Sequence, residues 1–177
     1  MTKRSSESHY GAVAVTIHWM SALLIVALLG SGFRASQTID PVAKADILRF
    51  HAPMGIAILL LTIGRIVWWW RFDTKPAAVG DDPRWQKLSA KSVHVLFYVI
   101  IIGMTASGIG MFALSGAGPI IFGGGEGVLP DLNQYAPRTP HGLGARAMVG
   151  LLVLHAGAAL YHHFVKRDPT LRRMWFK

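Results

Sequence analysis

The chain contains no cysteine in its 177 residues. This absence excludes disulfide bonds, iron–sulfur clusters held by thiolates, and the Cys-x-x-Cys-His attachment of a c-type haem. A haem in this protein would have to be held without a covalent link to the chain. The simplest way to hold it would be between histidines of facing helices.

Charged residues are also scarce, at 15% of the chain against 52% hydrophobic residues. This composition is too apolar for a water-soluble domain of the same length and predicts a membrane protein. The apolar residues form four blocks, each close to the roughly 20 residues that span a bilayer. We therefore predict an all-α integral membrane protein, a four-transmembrane-helix bundle in a single domain, 1–177. The predicted transmembrane helices cover about 13–32, 48–70, 90–114 and 141–165.

Acidic residues are half as frequent as basic ones, 9 against 18, which gives a net charge of +9. With four spans, the N-terminus, the 71–92 connection and the C-terminus share one side, and most lysines and arginines lie there. The positive-inside rule then predicts that both termini are cytoplasmic. The positive charge is explained by this topology and by contact with anionic membrane lipid. No basic module typical of nucleic-acid binding is present.

Histidines are the unusual residues of the apolar blocks. His141 and His155 are 14 positions apart on the fourth helix, which places them within about 40° of one face and roughly 21 Å apart along the axis. His18 lies towards the inner end of the first helix, and His51 lies at the outer end of the second. The matched depths predict two bis-histidine haem sites, His18 with His155 on the inner side and His51 with His141 on the outer side.

Other residues remain candidates for these sites. His94 has a depth similar to that of His18 and is the alternative ligand of the inner site, or else a quinone-site or packing residue. His162 shares a face with His155 and is a candidate quinone contact, whereas His163 is expected at the interface. Four arginines are candidate partners of haem propionates or interfacial anchors: Arg49 and Arg146 on the outer side, Arg65 and Arg71 on the inner side. Glycines near the histidines would admit a flat macrocycle: Gly55, Gly144 and Gly150.

The longest connection, 115–140, is rich in Gly and Pro and includes the run "GGGEG". An outer loop of this length is more often functional than idle. At its end, Thr139 and Pro140 are typical of a helix N-cap and first turn, which predicts that His141 lies at the outer mouth of the fourth helix.

Several motifs resemble one family over nearly the whole chain. "TIHWM", "RFHAPMG", "HVLFY" and "HGLGARAMVGLLVLHAGAALYHHFVKRDPTLRRM" are similar to the bacterial cytochrome b561 family, small four-helix di-haem b proteins of the inner membrane. The resemblance is greatest to the branch of superoxide:ubiquinone oxidoreductases (superoxide oxidases). It implies two haem b groups (iron, bis-histidine) on His18, His155, His51 and His141, in agreement with the depths.

The resemblance implies an oxidoreductase with superoxide as electron donor and ubiquinone as acceptor. Electrons would cross from the outer to the inner haem, and His162 or His94 would supply a proton to the quinone. The alternative function is that of a membrane subunit relaying electrons between a periplasmic dehydrogenase or hydrogenase partner and the quinone pool. Short loops and the absence of an additional helix favour the self-contained enzyme.

Overall fold

The computed structural model describes residues 2–77, 79, 83–125 and 127–176. This part of the chain is helical and contains no β-strand. Glu126 of the "GGGEG" run and Lys177 lie outside the described residues. The α-helices are α1 (Ala12–Gln37), α2 (Pro41–Val67), α3 (Arg84–Ser115), α4 (Gly118–Phe122) and α5 (Arg138–Phe164).

Four of the described helices are long and apolar enough to cross a membrane: α1, α2 with its continuation to Phe72, α3 and α5. They confirm the predicted all-α four-helix membrane fold, and each is longer than the apolar block that predicted it, although α5 ends one residue before its block, at Phe164. Large hydrophobic side chains such as Leu23 (71% exposed), Leu60 and Leu154 point away from the bundle. Such a surface is suited to lipid, where a helix satisfies its own backbone hydrogen bonds.

Local sequence explains where the helices begin and end. The Asp40 carboxylate accepts a hydrogen bond from the Ala43 backbone N–H at 2.8 Å, and Pro41 follows at the first helical position of α2. Gly116 ends α3 with a φ of +70°, a left-handed conformation that favours glycine. The prediction of Thr139 as the N-cap of the last helix is wrong, because α5 already begins at Arg138 after Pro137.

Two clusters of buried apolar side chains lie along the bundle. α1 packs mainly on α2, and α3 packs mainly on α5. One cluster lies in the middle of the bundle and consists of Ile25, Ile58, Ile101 and Met148. The other includes residues of α1, of α2 and of the connection that follows α3: Ala35, Ala45, Leu48, Ala52, Ala117, Ile121 and Leu129. The four alanines of this cluster let α1, α2 and the folded connection approach one another.

The predicted loop 115–140 is partly helical. It contains α4 and a 3₁₀ turn, Leu132–Gln134, and α4 packs on α2. The Arg49 guanidinium donates a hydrogen bond to the Ile120 carbonyl at 3.3 Å. We call the end of the bundle that carries residues 38–40 and 116–137 the loop end.

At the opposite end, which we call the basic end, residues 2–11, 68–77 and 165–176 meet. Arg173 is 7% exposed and donates hydrogen bonds to the carbonyls of Glu7, Ser8 and Ala77. The Trp19 indole N–H donates to the Met174 carbonyl at 2.8 Å. These contacts, which we call the clasp, join both terminal segments to the connection after α2.

Candidate haem sites

At the loop end, His51 of α2 faces His141 of α5. Their ring centroids are 6.2 Å apart and the ring planes are inclined by 64°. Two imidazoles on one metal ion have centroids about 6.2 Å apart, since each nitrogen lies about 2.0 Å from the metal and roughly 1.1 Å from its ring centre. The spacing therefore fits a bis-histidine iron site.

Hydrogen bonds at this end fix the tautomers of both imidazoles. The Ser31 hydroxyl donates its only proton to the Ala27 carbonyl at 2.8 Å, so it accepts from His51 Nδ1 at 3.0 Å. The Ser107 hydroxyl donates to the Met104 carbonyl, and that carbonyl accepts from His141 Nδ1 at 2.9 Å. Each Nδ1 carries the proton, so each Nε2 keeps the lone pair that a metal ligand requires.

Two glycines make room for these rings. A Cβ on Gly32 would lie 3.1 Å from His51 Cε1, and one on Gly108 would lie 3.5 Å from His141 Cε1. Neither glycine was among those singled out in the sequence. Of the three that were, Gly55 lines the cavity beside this pair, while Gly144 lies against the Met104 side chain.

A cavity of about 920 Å³ adjoins the loop-end pair and is lined by both histidines. This volume lies near the upper end of the range for small-molecule and cofactor sites, about 300–1,000 Å³. Lys44, Arg138 and Arg146 also line it. Arg146 was a predicted propionate partner; Arg49, the other, forms a 2.7 Å ion pair with Asp46 instead. Lys44 and Arg138 were not predicted from the sequence. Their helical spacing could have indicated them, since Lys44 is two turns before His51 and Arg138 is one turn before His141.

At the basic end, three imidazoles lie together. The ring centroids of His18 (α1) and His155 (α5) are 6.1 Å apart, and those of His94 (α3) and His155 are 5.4 Å apart. His94 Nδ1 donates a hydrogen bond to the Ala90 carbonyl at 2.6 Å. The spacing of His18 and His155 nearly equals that of the loop-end pair, whereas His94 and His155 are closer together than either of these pairs.

Arg65 lies beside this cluster rather than reaching the interface. Its Nη1 is 3.5 Å from His18 Nδ1, and its Nε is buried without a hydrogen-bond partner among the described residues. A buried donor without a partner is rare and suits an additional acceptor such as a haem propionate. The basic end therefore also fits a haem, with two matched imidazoles and an available guanidinium donor.

The remaining histidines of α5 lie just beyond this cluster. His162 Nδ1 hydrogen-bonds to the Asp168 carboxylate, which also accepts from the Thr170 backbone N–H at 2.9 Å. Burial would raise the pKa of Asp168, but the hydrogen bonds from Thr170 and His162 outweigh it and lower that pKa to about 2. Near it, His163 Nδ1 is buried without a described partner, so this ring is not purely interfacial.

Paired imidazoles inside a bundle of spanning helices define the class of this protein, a membrane cytochrome. A family model described as "Prokaryotic cytochrome b561" matches residues 9–177, and the chain belongs to this family. It is thus a multi-pass bacterial membrane protein that binds haem b and transfers electrons.

Curated relatives match over nearly their whole length. The chain is 31% identical to the probable superoxide oxidase CybB of Yersinia pestis, over 93% of this chain and 94% of that protein. It is 27% identical to cytochrome b561 homolog 1 of Escherichia coli (strain K12), over 94% and 97%. It is 29% identical to cytochrome b562 of Cereibacter sphaeroides, over 96% and 97%. No solved structure matches the chain.

Proposed function

We propose that the protein carries two haem b groups, held by His51 and His141 at the loop end and by His18 and His155 at the basic end. The observation that carries the proposal is the equal spacing of the two pairs, 6.2 Å and 6.1 Å, at opposite ends of the spanning helices. The two histidines on α5 are about 21 Å apart along the helix. When bound, haem supplies reversible one-electron chemistry at each end.

We propose further that the donor is superoxide and the acceptor is ubiquinone. Two superoxide anions, one ubiquinone and two protons give two O₂ and one ubiquinol, so electrons and protons balance. The name of the Yersinia pestis relative, probable superoxide oxidase, supports the donor. Lys44, Arg138 and Arg146 at the loop-end cavity supply positive charge that attracts an anion.

The quinone is placed at the basic end in this proposal. Asp168 accepts a hydrogen bond from His162 Nδ1 and so orients the imidazole; when His162 also carries a proton on Nε2, that N–H donates to a quinone oxygen. His94 is the second candidate proton donor there. In this proposal the protons for ubiquinol come from the cytoplasm, because the positive-inside rule favours the cytoplasmic side for the basic end.

The test is to mix purified, oxidised protein separately with superoxide and with ubiquinone while the haem absorption is followed. Superoxide should reduce the haem within the mixing time, and ubiquinone should reoxidise it. A parallel reaction containing superoxide dismutase controls for other reductants and should show no reduction.

The His51→Ala variant locates the donor site, because it removes one loop-end imidazole. Its reduction by superoxide should be slowed strongly, while chemical reduction of the remaining haem is retained. No response of the wild-type protein to superoxide, with reduction only by a co-purified periplasmic partner, would contradict the proposal and favour the relay subunit.

A further inference from the structure

Arg65 is a cation inside a membrane-spanning helix. Among the described residues, no carboxylate forms an ion pair with it. Its Nη1 faces His18 Nδ1 at 3.5 Å, and its Nε is buried. An ionisable group at such a depth is costly and usually serves a function.

The loop end differs in both charge and hydrogen bonding. Its nearest cations, Lys44, Arg138 and Arg146, line the cavity, and none of them is hydrogen-bonded to His51 or His141 among the described residues. The Nδ1–H groups of His51 and His141 donate hydrogen bonds to neutral oxygens, which makes these imidazoles stronger metal ligands. His18 Nδ1 instead faces a guanidinium, which has donors only.

Both differences act in the same direction on the reduction potential. An oxidised haem carries one more positive charge than a reduced one, so a fixed cation nearby favours the reduced form. A less basic axial imidazole also favours the reduced form. We propose that Arg65, through His18 and its own charge, makes the basic-end haem the more oxidising of the two; this rests on the proposed pair of haems.

A higher reduction potential at the basic-end haem gives electron flow a direction. Electrons entering at the loop end move towards the higher potential at the basic end, where the proposed quinone site lies. Arg65 acts here as a tuning residue and contacts neither substrate.

The experiment is a mediated redox titration, followed by haem absorption, that uses neither superoxide nor quinone. Haem content is measured first, so a failure of the two-haem proposal is seen separately. The His141→Ala background leaves the basic-end haem as the only signal, and Arg65→Gln, Arg65→Lys and Arg172→Gln are compared in it. Arg172 is an exposed arginine at the same end and serves as the matched control.

Arg65→Gln should shift the midpoint potential clearly downwards, Arg65→Lys should shift it by less than half as much, and Arg172→Gln should leave it unchanged. In the wild-type protein the basic-end haem should have the higher potential. The proposal is overturned if Arg65→Gln shifts the potential no more than Arg172→Gln does, or if Arg65→Lys shifts it equally. Loss of the basic-end haem in Arg65→Gln would also overturn the tuning role, since Arg65 would then act chiefly as the propionate partner described above.

Discussion

The two histidine pairs have nearly the same ring spacing but opposite surroundings. At the loop end, serine hydroxyls and a carbonyl accept hydrogen bonds from the imidazole Nδ1–H groups. These bonds favour the tautomer whose Nε2 can bind a metal. At the basic end, His18 faces a guanidinium and a third imidazole lies within contact of His155. Each pair consists of two histidines, but the hydrogen-bonding and charged groups around the two pairs differ.

The largest effect should come from removing an axial imidazole. His141→Ala should lower the haem content from two per chain to one, because the coordination position opens in an apolar site. His155→Ala should do the same at the other end. A pyridine haemochrome assay measures the ratio, and two haems remaining in either variant would contradict the assignment.

A smaller effect is expected from the hydroxyl that orients His51. Ser31→Ala should weaken haem retention at the loop end by about 10–100-fold, the usual range for partners of a metal-bound histidine. Transfer of haem to excess apomyoglobin measures the loss. Ser21→Ala is the matched control, since the Ser21 hydroxyl makes the same kind of bond, to the Ile17 carbonyl, without touching an imidazole.

Gly32→Ala should weaken the same site by a few-fold at most. The new methyl group would lie 3.1 Å from His51 Cε1, so the ring must move by a few tenths of an ångström. Gly30→Ala, where nothing lies within 4 Å of the added Cβ, should behave as wild type. Equal haem-transfer rates for all three proteins would show that the ring position at Gly32 is unimportant.

Asp168→Asn should lower the melting temperature slightly at neutral pH. The pKa of Asp168 is about 2, below its unfolded value of about 3.9, so the carboxylate stabilises the fold above pH 4 and the effect disappears as the pH falls towards 2. The difference in melting temperature between variant and wild type should therefore shrink between pH 6 and pH 3. A melting-temperature difference that does not change with pH would show that the substitution acts through packing and not through the charge of Asp168.

His94→Ala should have the smallest effect on haem content, leaving two haems per chain. His94 is an edge contact of His155, not a matched partner. If His94→Ala strips the basic-end haem while His155→Ala spares it, the pairing of His18 with His155 is wrong.

The sequence alone was sufficient for the helices and for bringing the histidines together. Long apolar blocks determine spanning helices, and a spacing of 14 residues places His141 and His155 on one face whatever the packing. Residues that orient the histidines through hydrogen bonds could not be predicted in this way. Ser31 and Ser107 look like ordinary helix residues, and their contacts with imidazoles depend on how α1 packs on α2 and how α3 packs on α5.

The partners of charged side chains could not be predicted from the sequence either. Arg65 was predicted to be either a propionate partner or an interfacial anchor, and its guanidinium lies beside His18. Arg173 belongs to the C-terminal segment whose basic residues support the predicted topology, yet it is buried against backbone carbonyls. Charge counting gives the side of the membrane for such residues but not their partners, which depend on tertiary contacts.

The clasp also imposes an order of assembly. Arg173 follows α5 in the chain, and its hydrogen-bond acceptors include Glu7 and Ser8, which precede α1. During synthesis the hydrogen bonds between Arg173 and residues 7–8 can form only after the C-terminal segment has been made. The basic end therefore closes only after α5 has been inserted. His155 is part of the same helix, so the haem proposed between His18 and His155 could be bound only after α5 is in place.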